Sequence, residues 1–459
     1  ISAKEVGEST IDGSNIKLYL TKLNGSEEEP LMTPETYHEE AEENTYTGRP
    51  AGEMSLYKGS MNSSENNNYR LRMYVDENYN PQGDGGGLTF SVRINVYGLA
   101  GEKYVPETTK TLLAANPVQE EKTNMFNYAS NGNYTNLNYD ELNDPNYITN
   151  GLYSTEDEDG TSYYFRGNVE NNNVQFGEYE SDYYVYNNGY SNYYQTLESC
   201  EESGWDNCSP VKLASTGDKM YWKIVRVNGD GSLRLIYNGT SASPSNSELT
   251  SSYAVGRVPY NLNSDGPKYS GYTYDNGVDS FIKREVDTWY QNTLGKSNYD
   301  RMVTSGRFCS DSSGYQDGSA FGVSNVFASM VRLGQSMTNF ASPNAPTLKC
   351  PATSESYGGS YRLKAGLITA DELALAGESC GVVGNSYLNP GDNDLAWYWS
   401  MTPAFSFFDD ASVWNEKDFL NRYNVNNPYG ARPVINVTTD NGFASGDGSV
   451  ENPYILDVE

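Results

Sequence analysis

Residues 396–437 have the sequence AWYWSMTPAFSFFDDASVWNEKDFLNRYNVNNPYGARPVINV and hold three of the six tryptophans of this chain. Trp397 and Trp399 are two positions apart, so a strand through them places both indoles on one face. The segment ends in an apolar run, residues 433–437, which predicts another strand. Large aromatic side chains on one face usually form a core. We therefore expect this stretch to close the core of the second half of the chain.

The composition favours a large acidic protein rich in β-structure. A chain of 459 residues is too long for one ordinary core, which predicts two or three domains. The net charge of -30 argues against binding nucleic acid or an anionic membrane through a basic patch. The chain has 40 tyrosines and 44 glycines, a mixture typical of strands joined by long ordered loops. No stretch of the sequence approaches the roughly 18 apolar residues that a membrane span needs, so we expect no membrane-spanning helix.

The start of the sequence suggests export. No methionine precedes Ile1, as expected of a secreted chain whose targeting segment has been removed. A tagged fragment is the alternative. We expect an extracellular location at a bacterial cell surface.

The five cysteines predict two disulfides. Cys200 and Cys208 flank a short acidic turn, and Cys309 and Cys350 both lie in loop-like surroundings. Cys380 is left over, either as a buried free thiol or as one half of an intermolecular disulfide. The alternative to the two disulfides is that all five cysteines are reduced. No pair has zinc-site spacing.

Residues 1–149 contain no cysteine and no tryptophan, and the composition changes after them, which predicts domains at 1–149 and 150–459. Residues 16–23 predict a strand. Residues 69–76 and 88–97 alternate apolar with polar side chains around a Gly-rich segment, and predict antiparallel strands with one buried face. The first domain is thus expected to be an all-β sandwich. Residues 1–10 are either its first strand or an edge strand that pairs with a neighbouring subunit.

Three local signals stand out in the second domain. Residues 220–237 predict a hairpin with its turn at 228–231, where Asn, Asp and Gly tolerate positive φ. Residues 281–294 place apolar side chains at helical spacing before a glycine stop. Residues 370–376 predict a short helix, opened by a capping box from Thr369 to Glu372 and ended by Gly377.

These residues resemble the C-type-lectin-like fold of secreted bacterial proteins, in particular the branch related to the formylglycine-generating enzyme and the Fibrobacter-type major paralogous domain. Three segments carry the likeness: YRL at 361–363 leading into LITADEL at 367–373, WYWSMTP at 397–403, and GARPVINV at 430–437. The resemblance covers residues 151–459. It implies an α+β domain with a twisted antiparallel sheet, two helices and long loops. The first half weakly resembles β-sandwich modules of fibre-forming proteins of Gram-positive bacteria.

The activities of these relatives do not carry over. The formylglycine-generating enzymes use paired cysteines late in the domain, where this chain has only Cys380. The sugar- and calcium-binding triplets of animal lectins are missing as well. The single histidine, His38, lies in an acidic loop without a nucleophile motif, which argues against nucleophile–histidine catalysis. We expect a protein that is not an enzyme.

Two acidic loops are candidate calcium sites, and we expect no other cofactor. Asp157 and Asp159 precede Gly160 in a partial calcium-loop pattern. Asp392 and Asp394 lie directly before the aromatic strand, where the lectin-like fold can hold calcium. A solvated turn is the alternative in both places.

The candidate contact surface lies between the last tryptophan and the closing strand. Tyrosine and asparagine suit such surfaces because they combine rigid area with adaptable hydrogen bonds. The candidates are Asn421, Tyr423, Asn424, Asn426 and Tyr429. Because both residue types are common throughout this chain, composition alone is the competing explanation.

The favoured hypothesis is an exported subunit of a pilus-like filament, or fimbrium, that polymerises through its N-terminal strand and displays the lectin-like domain. The alternative is a monomeric adhesin that recognises a glycan or protein through its Tyr/Asn-rich loops.

Overall fold

The structure of this chain is a computed structural model. It describes residues 1–24, 27–44, 48–59, 67–80, 87–98, 105–120, 150–245, 249, 252–275, 277–314, 324–333, 346–351, 358–378, 386–389, 397–407, 410–416, 420–438 and 442–457. Its contacts define two compact units, Ile1–Pro106 and Glu107–Glu459. Residues 121–149 lie outside the described residues, and the domain boundary at 149/150 stays a prediction.

The protein is mostly β, with several sheets, one of them a curled half-barrel, and few short helices. The strands of the N-terminal unit are β1 (Ser2–Glu5), β2 (Ile16–Asn24), β3 (Glu27–Pro30), β4 (Glu35–Thr36), β5 (Met54–Ser55), β6 (Asn68–Val75) and β7 (Val92–Asn95). The strands of the C-terminal unit are β8 (Gly151–Asp157), β9 (Gly160–Arg166), β10 (Asn173–Glu178), β11 (Tyr183–Asn187), β12 (Tyr193–Tyr194), β13 (Ser209–Ala214), β14 (Lys219–Val227), β15 (Leu233–Tyr237), β16 (Gly256–Pro259), β17 (Thr273–Tyr274), β18 (Val278–Asp279), β19 (Val303–Thr304), β20 (Gly306–Ser310), β21 (Ser324–Val326), β22 (Gly359–Leu363), β23 (Ala365–Gly366), β24 (Tyr398–Phe407), β25 (Asp410–Glu416), β26 (Leu420–Asn424), β27 (Pro428–Ala431), β28 (Val434–Val437), β29 (Phe443–Ser445) and β30 (Tyr454–Leu456). The described α-helices are α1 (Glu107–Ala115), α2 (Leu197–Glu202), α3 (Phe281–Asn292), α4 (Ala328–Arg332) and α5 (Ala370–Ala376).

The N-terminal unit has two small sheets around one core. One sheet has the order β5-β1-β7, and in the other β2 pairs with β3, β4 and β6. The strand predicted over residues 16–23 is confirmed as β2. Strand β1 lies between β5 and β7, so both of its edges are paired within the same chain.

The strands around the Gly-rich segment form, but in different sheets. Strand β6 pairs antiparallel with β2, and β7 pairs antiparallel with β1. Met73, Tyr74 and Val75 are consecutive and all exposed, so β6 lacks the single buried face that its pattern predicted. The partners lie about 50 and 90 residues earlier in the chain, and such distant pairing overrides the local alternation.

The C-terminal unit is built on a ten-stranded and a nine-stranded sheet. The predicted hairpin is confirmed: β14 and β15 pair antiparallel with Trp222 opposite Tyr237. Gly231 in its turn has φ +90°, which favours glycine. The predicted closing strand is β28, which pairs with β15, β19 and β23 in the ten-stranded sheet.

The aromatic stretch packs on the core, with Trp399 buried as expected and Trp397 partly exposed. Strands β24 and β27 pair, and Trp399 is fully buried and donates its indole N–H to the Val258 carbonyl at 3.0 Å. Trp397 and Trp399 both pack against Tyr429, with ring centroids 6.1 and 4.9 Å away. The two indoles therefore share one face, as their spacing predicts.

The two predicted helices and both predicted disulfides are confirmed. Helix α3 starts after the N-cap Ser280. Helix α5 has the predicted capping box between Thr369 and Glu372, and Gly377 ends it with φ +116°. The disulfides join Cys200 to Cys208 and Cys309 to Cys350. Cys380 lies outside the described residues.

Candidate functional site

The predicted contact residues lie on two strands and the turn between them. Asn421, Tyr423 and Asn424 belong to β26, Asn426 to the turn, and Tyr429 to β27. Among the described strands, β26 pairs only with β25 and ends the nine-stranded sheet. The Tyr/Asn-rich segment picked out from the sequence therefore lies at the edge of this sheet.

The rings of Trp397, Trp399, Tyr423 and Tyr429 form a continuous group at this edge. We call these four residues together with the neighbouring Asn421 the edge face. Tyr429 is 7% exposed and lies at its centre, with its ring centroid 5.0 Å from that of Tyr423. Tyr423 and Trp397 are partly exposed. Tyr429 is thus the buried member of this group, and Tyr423 and Trp397 are its partly exposed members.

The asparagines of this segment stiffen the backbone. The Asn421 side-chain oxygen accepts from the Arg422 N–H at 2.8 Å, and that of Asn424 accepts from the Asn426 N–H at 3.2 Å. Asn421 keeps its amide N–H groups without a partner among the described residues. That any of these five residues binds a ligand stays a prediction.

The first candidate calcium loop is the tight turn between β8 and β9. The Asp157 carboxylate accepts from Arg226 at 2.9 Å and from the Gly229 N–H at 2.8 Å, while its other oxygen accepts from the Asp159 N–H. An arginine thus lies where a cation would bind. In the described part of the chain no three His, Cys, Asp or Glu side chains converge on a metal position. Asp392 and Asp394 lie outside the described residues.

Asp157 belongs to a charged cavity of about 40 Å³, which has room for a few water molecules. Its wall includes the Cys309–Cys350 disulfide and the first turn of α5. The buried charged side chains around it are Asp157, Arg226, Arg234, Asp311, Arg332, Asp371 and Glu372. The charged groups around this cavity bond mainly to one another.

Glu372 joins two arginines of the central hairpin. Its carboxylate lies 2.9 Å from Nε of Arg226 and 2.5 Å from Nε of Arg234. Burial alone would raise the pKa of Glu372, but the two guanidinium groups outweigh it and hold that pKa below its ordinary value. Glu372 also accepts from the Thr369 N–H at 2.9 Å, so one side chain caps α5 and pairs it with β14 and β15.

Arg332 forms the other half of the cluster. Its guanidinium bonds Asp371 through two contacts, at 2.6 and 2.8 Å, and reaches Asp311 at 2.7 Å. Each of these buried carboxylates accepts a hydrogen bond from an arginine, and such charge-assisted bonds are strong. The single histidine, His38, lies in the N-terminal unit with Nδ1 3.1 Å from the Thr36 carbonyl. The cluster is suited to holding strands and a helix together rather than to proton transfer.

Glu285 on α3 is a buried carboxylate outside this cluster, and its environment is different. It accepts from the Gln195 N–H at 2.7 Å and is 3% exposed. Burial raises the pKa of Glu285 to about 7. Gln195 in turn accepts from the Tyr183 hydroxyl at 2.6 Å and donates to the Val255 carbonyl at 2.7 Å. Glu285 therefore anchors the tyrosine-rich hairpin β11–β12 to α3.

Sequence reasoning gave Glu372 only its capping role and missed Glu285 and the amide of Asn415, although signals exist for the two carboxylates. Arg226 and Arg234 interrupt strands that are otherwise apolar, and a buried arginine requires an anion. Glu285 lies between apolar positions on the buried stripe of α3. Asn415, opposite Asn421 on β25, is fully buried, and its amide has no hydrogen-bond partner among the described residues. It has no comparable signal, since only the pairing of β24, β25 and β26 buries it.

No family model, curated protein or solved structure matches this chain. No helix among the described residues is long and apolar enough to cross a bilayer. Its function is therefore inferred from its own residues.

We predict that Glu372→Gln destabilises the C-terminal unit by about 3–5 kcal/mol, because it leaves Arg226 and Arg234 buried without their shared carboxylate. Glutamine keeps the capping bond to Thr369, so the loss reports the charge. The measurement is urea unfolding followed by tryptophan fluorescence. The control is Glu202→Gln, since Glu202 makes two 2.9 Å bonds to Arg284 on the surface and should cost less than about 1 kcal/mol. Equal losses in the two variants would contradict the role of the cluster.

The Glu285→Gln variant should be more stable than the wild type at pH 8, by up to about 3 kcal/mol. The raised pKa means that the folded state keeps a proton that the unfolded state has lost between pH 4.5 and about 7. Wild-type stability therefore falls across this window as pH rises, and the gain from glutamine should largely disappear at pH 5. Thermal melts at both pH values measure it, with the exposed Glu198→Gln as control. A gain that does not change with pH would refute this explanation.

Proposed function

We propose that this chain is an exported bacterial surface protein whose C-terminal unit binds neutral glycans through the edge face. One observation carries the proposal: Trp397 and Tyr423 are partly exposed residues whose rings both pack against the buried Tyr429. Rings packed in this way are held rigid before a ligand arrives, which lowers the entropy cost of binding. The two disulfides support an oxidising, extracellular location.

The chemistry of the edge face favours a sugar over a charged ligand. Pyranose rings stack on aromatic faces, and the free amide of Asn421 suits their hydroxyl groups. Arg422 alternates with Asn421 and Tyr423 along β26, which places it on the opposite face of the sheet. The charge of -30 repels acidic glycans. Neutral hexose and N-acetylhexosamine chains therefore fit best.

The order of elements supports a relationship between the C-terminal unit and the C-type-lectin-like fold. The strand 359–363, the capped helix α5, the aromatic strand β24 and the closing strand β28 follow one another as that resemblance implies. The unit has more sheets and helices than the family's basic plan. We infer a lectin-like domain with large additions.

Binding to an array of neutral oligosaccharides tests this function. We expect Tyr423→Ala to weaken binding at least tenfold, about 1.4 kcal/mol, because the stacking ring is lost. Tyr423→Phe should retain most of the affinity. The matched control is Tyr74→Ala, an exposed tyrosine of the N-terminal unit. An array without any bound glycan, or equal binding by Tyr423→Ala and the wild type, would reject the proposal.

A filament subunit is the second candidate, and one observation favours it. Strands β6 and β7 each have one paired edge among the described strands, and they expose apolar side chains. The exposed fractions are 44% for Met73, 47% for Val75 and 41% for Ile94 in these strands, and 77% for Val96, which directly follows β7. Exposed apolar edge strands are common sites of pairing between chains. Homopolymerisation through β1 itself requires that strand to leave its place between β5 and β7.

If the N-terminal unit assembles through these strands, Val96→Asp should abolish filaments seen by negative-stain microscopy of purified protein. The charge would be buried between copies, while the monomer, in which Val96 is exposed, stays folded. Val118→Asp, at an exposed position of the C-terminal unit, is the control. Dispersed wild-type particles at high concentration, or filaments of Val96→Asp, would exclude this candidate.

A further inference from the structure

A second aromatic pair lies outside the edge face, at the tip of the β11–β12 hairpin. Tyr190 is 68% exposed, and its ring packs against the partly exposed Trp205 with centroids 5.1 Å apart and planes inclined by 51°. Tyr190 is one of the most exposed large apolar side chains of the described residues. We call Tyr190 and Trp205 the tip pair.

Both rings of the tip pair are mounted on rigid backbone. Asn187 donates from its amide to the carbonyls of Tyr190 and Asn192, and Asn188 accepts from the Tyr190 N–H at 3.0 Å. Trp205 lies in the nine-residue loop that the Cys200–Cys208 disulfide closes. The hairpin is anchored below by Gln195 and Glu285. The pair is therefore organised before binding rather than by it.

The surroundings of the tip pair are acidic. Glu201 and Asp206 lie in the disulfide loop and Glu198 lies on α2, all three exposed and without an ionic partner among the described residues. The two arginines nearby are occupied: Arg284 bonds Glu202, and Arg257 donates to Ser191 and Asn192. Aromatic faces beside unpaired carboxylates attract cations through the ring quadrupole and through charge.

We propose that the tip pair is a docking site for a cationic protein segment, with a lysine or arginine side chain held against Tyr190 and Trp205. This site is separate from the edge face. Charge complementarity selects the occupant: the carboxylates favour a basic segment over a neutral sugar, and they repel an acidic one.

The test is fluorescence anisotropy of a fluorescein-labelled octalysine peptide with the full chain in 150 mM salt. Tyr190→Ala and Trp205→Ala should each weaken binding about tenfold, since each removes a cation–π contact without changing the net charge. Tyr74→Ala should bind like the wild type. Far-UV circular dichroism is the check that the variants remain folded.

A second comparison separates a site from general attraction to an acidic protein. Asp206→Asn and Glu120→Gln change the net charge equally, and Glu120 is an exposed carboxylate in another part of the same unit. The proposal requires Asp206→Asn to weaken binding more than Glu120→Gln does. Equal effects, unchanged binding by Tyr190→Ala, or tighter binding of a labelled neutral hexasaccharide at this site would overturn it. Because Tyr423→Ala leaves the tip pair intact, failure of the glycan site does not affect this result.

Discussion

The C-terminal unit depends on the shared ion pair of Glu372 with Arg226 and Arg234. These groups are separated by 146 and 138 residues, yet all three are nearly excluded from solvent. Removing such charges from water is costly, and the cost is recovered only when every group finds its partner at hydrogen-bond distance. The pairing therefore penalises any arrangement in which α5 does not lie against the central hairpin. Thr402 of the aromatic strand β24 accepts from the Ala370 N–H of α5 at 3.0 Å, so this strand is held to the same helix.

The same dependence explains which features the sequence predicts. The β14–β15 hairpin and the capped helix α5 are encoded within a few residues by turn glycines and a capping box, and both form as expected. The Cys200–Cys208 bridge is equally local. The pairing of β6 with β2 is not local, and the alternation within β6 contains no information about that partner. Tyr429 is similar: its burial is decided by β16 and β24, which come from distant parts of the chain.

The candidate sites follow the same division. Tyrosine and asparagine composition located the edge face, but it could not separate the partly exposed Tyr423 from the buried Tyr429. That difference arises from the position of each strand in the sheet, since β26 is at its edge and β27 is inside. Glu285 shows the reverse case, because its place on an apolar helical stripe marks it as buried, whereas its partner Gln195 is visible only in three dimensions.

The charge distribution assigns different roles to the three polar regions. In the central cavity, carboxylates and arginines neutralise each other through direct ion pairs. At the edge face, aromatic rings and a side-chain amide suit a neutral ligand. Around the tip pair, Glu198, Glu201 and Asp206 keep an unpaired negative charge beside exposed rings. Exposed like charges that lie close together repel each other. The proposed site therefore joins a rigid aromatic pair to a local excess of negative charge, which an external cation would offset.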